Sequence, residues 1–180
     1  MQKSLVLNRK LYVAFIDFEK AFDSVSRHLL WPILQKNTIK GKLFCAVSSI
    51  YDTVLARVRS GNRLSDLTEC NRGVKQGDVC SPVLFSLFIN KLAFDLIREG
   101  KHGAIVSPEL IELFILLFVD DFLLISETLT GLQNQLNSLL KSAKKHDIKV
   151  NLNKSSVIVF RKGGFWGRKR NYFMGIASFM

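Results

Sequence analysis

The sequence predicts an α+β fold, on three observations. Short apolar runs rich in β-branched and aromatic residues, such as Leu11 to Ile16 (LYVAFI), read as strands. Runs with apolar residues every three or four positions, such as Leu129 to Ala143, read as amphipathic helices. The two kinds alternate, and Glu112 to Val119 is separated from Phe122 to Ser126 by two residues only, the proportions of an antiparallel hairpin. Hairpins of this kind, with helices covering one face of their sheet, make an α+β domain.

Taken in order, Leu11 to Ile16 is a buried strand that ends on Asp17. Phe18 to Gln35 is helical in parts, and Pro32 is expected to start a turn or kink, because proline lacks the N–H that a helix interior uses. Leu43, Phe44, Val47, Ile50, Tyr51, Val54 and Leu55 recur at helical spacing and predict a core-facing stripe. Gly61-Asn62 marks a turn between two short strands, and Asn71 to Asp78 (NRGVKQGD) a polar loop. Ser81-Pro82 combines a capping side chain with proline at the first helical position, ahead of a helix over Val83 to Arg98 that Gly100 ends. After the hairpin, the helix from Leu129 reaches about His146. Ile148 to Leu152 and Val157 to Phe160 are two further short strands around Asn153-Lys154-Ser155. No low-complexity tract, Pro-rich linker or repeat marks an interior boundary, so one compact unit is expected.

A chain that is 48% hydrophobic and 23% charged is not intrinsically disordered. Its longest apolar run, Leu113 to Val119, is far short of the roughly 20 residues that cross a bilayer, so no membrane span is expected. The first ten residues lack the apolar core of a secretory signal. Cys45, Cys70 and Cys80 are too few and too irregular for a disulfide framework or a zinc site, which suits a reduced intracellular compartment. Lys and Arg outnumber Asp and Glu by 26 to 15, and the net charge of +11 favours a polyanionic partner, nucleic acid first. Simple solubility, or contact with an anionic membrane, is the other reading of that charge.

Asp120-Asp121 sits between two apolar strands, where a carboxylate is costly unless a cation or hydrogen bonds compensate it. Adjacent strand residues face opposite ways, so the two serve one site only if the chain turns there. The pair taken alone also reads as an ordinary Asp-rich hairpin. Asp17 adds a second acid at the end of a strongly apolar strand. Carboxylates from neighbouring strand ends are what a pair of Mg²⁺ ions about 3.5–4 Å apart requires, with open positions left for phosphates. Together with the charge, this points to metal-dependent phosphoryl or nucleotidyl transfer. Asp23 reads as a capping or salt-bridging residue.

Four segments, AFIDFEKAFDSV (Ala14 to Val25), RGVKQGDVCSPVLF (Arg72 to Phe85), LFVDDFLLIS (Leu117 to Ser126) and KVNLNKSSVIVF (Lys149 to Phe160), resemble motifs A, B, C and D of reverse transcriptases of LINE-type, non-LTR retrotransposons. The resemblance implies the palm of a right-hand polymerase over residues 1–162, with the fingers largely missing, the thumb absent and a basic, aromatic tail at 163–180. It implies RNA-directed DNA polymerisation with an RNA template, a DNA primer and deoxynucleoside triphosphates. Two Mg²⁺ ions, or Mn²⁺ as a substitute, would lie on Asp17, Asp120, Asp121 and the Phe18 carbonyl. Phe22 matches the steric gate against a 2′-hydroxyl, although a Phe at this spacing also reads as core. Gln76 and Gly77 match the pair that contacts the incoming nucleotide and template. Arg72 and Lys75 could reach phosphate or simply belong to a solvated loop. Lys154 matches the lysine proposed to protonate pyrophosphate, and reads equally as a surface lysine in a turn. The resemblance further implies a nuclear location, and a longer polyprotein supplying fingers, thumb and endonuclease modules.

Motif C here is Phe118-Val119-Asp120-Asp121, where the family commonly has Tyr-Ala-Asp-Asp, so a tyrosine hydroxyl is missing. In the tail, Arg161, Lys162, Arg168, Lys169 and Arg170 interleave with Phe165, Trp166, Tyr172 and Phe173, a pattern that suits single-strand binding or a frayed end. The competing functional readings are a catalytically inactive, truncated or co-opted retroelement fragment that at most binds nucleic acid, and a maturase or RNA-directed RNA polymerase on the same palm.

Overall fold

The computed structural model describes residues 10–99, 103–105, 112–161 and 164–166. They form two compact units rather than one: the residues up to Ala21 join those from Ile89 onward, and Phe22–Phe88 form the second. Helix α4 (Ser81–Glu99) carries the chain from the second unit into the first, so no linker composition marks the boundary.

The first unit is built on an antiparallel sheet of five strands in the order β11-β10-β1-β9-β8. These are β1 (Leu11–Ile16), β8 (Ile115–Phe118), β9 (Asp121–Ser126), β10 (Ser156–Arg161) and β11 (Gly164–Trp166). The continuous apolar run LYVAFI suits the central position, where both faces are covered: Val13 and Ala14 point oppositely and both are buried. Val13 pairs with Ile125 and Ile158, and Ala14 with Leu124 and Val157. Leu11, Val13, Ile125 and Ala104 form one cluster, onto which Phe15, Leu113, Leu123 and Phe160 pack. Ala104 belongs to a short pair, β6 (Ala104–Ile105) with β7 (Glu112–Leu113).

Helix α5 (Leu129–Lys145) packs on β9 and β1 and buries Leu132, Leu136, Leu139 and Ala143, as its periodicity predicts. Removing each of these leucines from water contributes about 2 kcal/mol. Thr128 caps the helix by accepting from Gly131 N at 3.0 Å. Two sequence expectations shift here. The hairpin turn is Val119-Asp120, with Asp121 already in β9. Ile148 to Leu152 is not a strand: Val150 makes one isolated bridge, to Phe18, because Asn151 folds the next residues into a turn by accepting from Lys154 N and Ser155 N. Strand β11 extends the sheet into the expected tail, and residues 167–180 lie outside the described residues.

The second unit takes up the chain from the second residue of α1 (Ala21–Ser24) and contains α2 (Arg27–Lys36) and α3 (Gly41–Ser49). Pro32 lies within α2 rather than starting a turn. Its missing N–H falls on an exposed face, where water reaches the carbonyl one turn back. The stripe from Leu43 to Leu55 is not core. α3 ends at Ser49, only Tyr51 is buried, and Leu43, Ile50 and Leu55 are exposed. Periodicity reports an apolar face but not its partner, and the ring contact for α3 is Trp31 against Phe44. Beyond it runs a two-stranded ribbon, β2 (Leu55–Ala56) with β5 (Thr68–Glu69) and β3 (Arg59–Ser60) with β4 (Arg63–Leu64), turning at Gly61-Asn62 as expected. Every residue from 55 to 69 is exposed. Among the described residues no helix is long and apolar enough to cross a membrane.

Candidate active site

Ile16, the last residue of β1, pairs with Phe122, so one further step of register sets Asp17 across from Asp121. Asp120 takes the second position of the two-residue turn flanked by Phe118 and Asp121. Val119, in the first position, has φ of +55°. That left-handed conformation costs a β-branched residue about 1–2 kcal/mol, and the tight antiparallel turn requires it. The turn also removes the strand alternation that would otherwise separate Asp120 from Asp121, and both are exposed.

Asp17 is half-buried and its backbone is held from both sides by the segment 151–155. Its N–H donates to Ser155 Oγ at 3.0 Å, and its carbonyl accepts from Asn151 N at 2.8 Å. Neither Asn151 nor Ser155 is among the residues the sequence singles out; the available signal is the turn-forming composition of NLNKSS. Phe18 is buried, its ring edge-on to Phe122 at 5.8 Å. Its bridge to Val150 uses the Asp17 carbonyl and the Glu19 N–H, which donates to Lys149 O at 2.8 Å, and leaves the Phe18 carbonyl outside the pairing. Lys154 is exposed in the turn, next to Ser155.

The donors at this sheet end are carboxylates and one carbonyl, the oxygen set that Mg²⁺ or Mn²⁺ takes. Among the described residues no group of three or more His, Cys, Asp or Glu side chains is placed to hold a metal ion. Magnesium at phosphate-transfer sites needs none, since one or two carboxylates hold it and water and phosphate complete its shell. The residues therefore fit such an ion.

In the second unit, the Phe22 ring is half-buried and stacks on the fully buried Phe85 at 4.7 Å, with 13° between planes. The loop around Gln76 is fastened to the segment that carries Phe22. Val74 N donates to Phe22 O and Gly73 N to Val25 O, both at 2.9 Å, and Arg72 donates to Ser24 O from Nε and Nη2. Gly73 has φ of +85°, and a Cβ there would meet the Asp23 backbone at 2.9 Å, so only glycine fits. Gln76 Nε2 donates to Asp23 Oδ1 at 3.2 Å; a carboxylate only accepts, which fixes the orientation of the amide. Gly77 follows with φ of +89°. Lys75 Nζ donates to Ile50 O at 2.9 Å. Arg72 and Lys75, candidates for phosphate contact, thus bond backbone carbonyls in this structure. Ser81 Oγ shares a hydrogen bond with Tyr51 Oη, and just ahead of α4 Asp78 Oδ1 accepts from Cys80 N at 2.8 Å, a turn bond leading into the helix.

Comparison with known proteins gives these features a lineage. Residues 2–176 match the family model described as reverse transcriptase (RNA-dependent DNA polymerase). The Pol polyprotein of the type-1 retrotransposable element R2 of Popillia japonica is 32% identical over 160 residues, covering 87% of this chain and 22% of that protein. The Pol polyprotein of the type-2 element R2DM of Drosophila melanogaster is 32% identical over 146 residues, 81% of this chain and 13% of that protein. The chain therefore spans less than a quarter of these relatives' length. Among solved structures, Candida tropicalis telomerase in complex with a TWJ fragment of telomeric RNA superposes with a TM-score of 0.62 at 17% identity, over 87% of this chain and 27% of that one. Apo telomerase of the same organism, truncated from its C-terminal domain, gives 0.58 at 18% identity, over 90% and 34%. These likenesses show the fold, and the antiparallel sheet with its helices is palm-like, as expected. A family match that leaves so little of the sequence outside it settles the membership: the chain belongs to the reverse transcriptase family, among those of non-LTR retrotransposons.

Proposed function

We propose that the chain is the palm of an RNA-directed DNA polymerase, which joins deoxynucleoside triphosphates to a DNA primer 3′-hydroxyl along an RNA template. The observation that carries this reading is Asp17 at the end of β1, one register step beyond the Ile16–Phe122 pair and so across from Asp121, with Asp120 in the adjoining turn. Asp17, Asp120, Asp121 and the Phe18 carbonyl would hold two divalent ions, Mg²⁺ or Mn²⁺ as its substitute. Bound there, the pair supplies a lowered pKa at the primer hydroxyl and charge neutralisation at the triphosphate. The chain's own part is to hold those oxygens still. Asn151 and Ser155 fix the backbone of Asp17, and the tight turn fixes that of Asp120.

Phe22, braced by Phe85, excludes a 2′-hydroxyl by bulk, and Gln76 and Gly77 contact the incoming nucleotide and template. The Lys154 ammonium gives its proton to an oxygen of the leaving pyrophosphate. Arg72 and Lys75 serve by shaping the loop, since both bond its neighbouring carbonyls. The net charge of +11 suits template and primer as partners. Fingers, thumb and endonuclease modules come from a longer polyprotein acting in the nucleus.

Primer extension on poly(rA)/oligo(dT) with Mg²⁺ and dTTP tests the reading, run beside Asp120→Asn. Extension by the parent and none by the variant is expected. Equal extension by both removes Asp120 from the mechanism. Extension by neither, with both folded by circular dichroism, favours a remnant that at most binds nucleic acid.

A further inference from the structure

We propose that Arg27 is a positioning residue: it sets the loop carrying Gln76 and Gly77 against the Phe22 segment, and so controls nucleotide affinity without touching the nucleotide. The inference rests on the nucleotide-binding reading of Gln76 given above.

Arg27 opens α2, and its guanidinium reaches three carbonyls through three different nitrogens. Nε donates to Gly73 O at 2.8 Å, Nη2 to Arg72 O at 3.2 Å and Nη1 to Tyr51 O at 3.3 Å. The same group lies over the Tyr51 ring, 5.1 Å from its centroid. Tyr51 is itself fixed: it is buried, its hydroxyl pairs with Ser81 Oγ, and the Trp31 ring stands 5.9 Å away. Arg27 therefore grips the loop from a buried, packed floor. Burial draws its pKa below the ordinary arginine value, but the guanidinium stays charged, and charge-assisted bonds of this kind are about twice as strong as neutral ones.

The position of the grip matters more than its strength. At residue 73 the N–H is taken by Val25 O and the carbonyl by Arg27 Nε, so the peptides on both sides of Gly73 are pinned. Gly73 is the left-handed residue at which the loop reverses beside Asp23, three positions before Gln76. Releasing the carbonyls of residues 72 and 73 loosens the loop at its bend, leaving its hold to the Gly73 and Val74 N–H bonds, the Arg72 and Lys75 side chains and the exposed Gln76–Asp23 hydrogen bond. Lysine is no substitute, because a single ammonium cannot reproduce the planar fork that spans three carbonyls.

The test uses Arg27→Met and Arg27→Lys in the full chain, with Gln76→Ala as the reference. Two quantities are read. One is the amide exchange rate of Gly73 and Val74. The other is the Kd for dTTP on poly(rA) carrying a dideoxy-terminated primer, so that no turnover is needed. The apparent Kd is the intrinsic value divided by the folded fraction, so in a variant that stays almost wholly folded by circular dichroism a merely structural loss of stability leaves it unchanged. In Arg27→Met both quantities are expected to rise about tenfold, as for the loss of one or two charge-assisted hydrogen bonds, while exchange in α5 stays the same. Arg27→Lys should fall between, and it carries the comparison if the methionine variant does not fold. Unchanged exchange at Gly73 and Val74 overturns the inference. So does an unchanged Kd when Gln76→Ala raises it. If Gln76→Ala leaves Kd unchanged, or the parent does not bind dTTP, the nucleotide reading of the loop has failed and this inference falls with it.

Discussion

Replacing Ser155 with alanine removes one oxygen, and that oxygen is the acceptor for the backbone N–H of Asp17. Ser155 is buried, so water does not readily take its place, and an orphaned buried donor costs about 1–3 kcal/mol. The other anchor, Asn151 N to Asp17 O, survives the change. We therefore expect a loss near the middle of that range, about 2 kcal/mol, equivalent to about 4–8 °C in melting temperature for a domain of this size. Urea unfolding followed by circular dichroism measures it, with the slope unchanged because the same surface is exposed on unfolding. The catalytic effect should be larger than the stability effect implies. Asp17 stands one residue beyond the sheet, and a carboxylate that wanders loses its alignment, so single-turnover extension at saturating Mg²⁺ should slow at least about tenfold. A loss of stability below about 0.5 kcal/mol with wild-type extension would refute the idea that Ser155 holds Asp17 in place.

Two further expectations concern charge and sugar selection. Asp95 in α4 accepts from Lys91 Nζ at 2.8 Å, Ser142 Oγ at 3.2 Å and Lys145 Nζ at 3.4 Å. Burial pushes its pKa up, but the hydrogen bonds and charges of Lys91 and Lys145 outweigh that and hold it below the usual aspartate value. A carboxyl lowered in the folded state stabilises fully above its unfolded pKa, and that contribution disappears as pH falls through the folded value. Asp95→Asn should therefore cost about 1 kcal/mol at pH 7, since Lys145 is largely exposed, and should flatten the fall in urea midpoint below about pH 4. A variant with the parent's acid profile contradicts this. Phe22→Val removes the proposed gate, and incorporation of UTP relative to dTTP should rise at least about tenfold, a difference of 1.4 kcal/mol; an unchanged ratio in an active protein excludes Phe22 from sugar selection.

Features written in neighbouring residues were legible in the sequence. LYVAFI read as a buried strand, α5 as an amphipathic helix, and Asp17 and Asp120 as acids at strand ends, because burial and periodicity act over a few positions. The hairpin was legible to within one residue. Its turn moved to Val119-Asp120 because the preferred turn geometry overrides valine's aversion to positive φ. What stayed hidden was carried by distant pairs. Ser155 and Asp17 are 138 residues apart and Arg27 and Gly73 are 46 apart, and no local pattern announces either bond. The apolar stripe around α3 misled for the related reason that a face and its cover are separate facts. Phe22 shows both readings at once: its ring is stacked on a core phenylalanine and is still half-exposed.

The strand order has a consequence for how the chain is made. β1 ends at Ile16, yet its neighbours on either side are β9 and β10, whose residues begin at Asp121. The whole of the second unit is synthesised in between. At about 5–20 residues per second, LYVAFI therefore waits roughly 5–20 s for either of these two neighbours, an apolar, β-prone segment open to other copies of itself. The same arrangement makes the length of the intervening unit a cheap variable, since doubling a flexible loop costs only about 0.6 kcal/mol in closure entropy. The sheet end that holds Asp17 is thus insulated from the size of what is inserted after it, and most exposed to hazard while that insertion is still being translated.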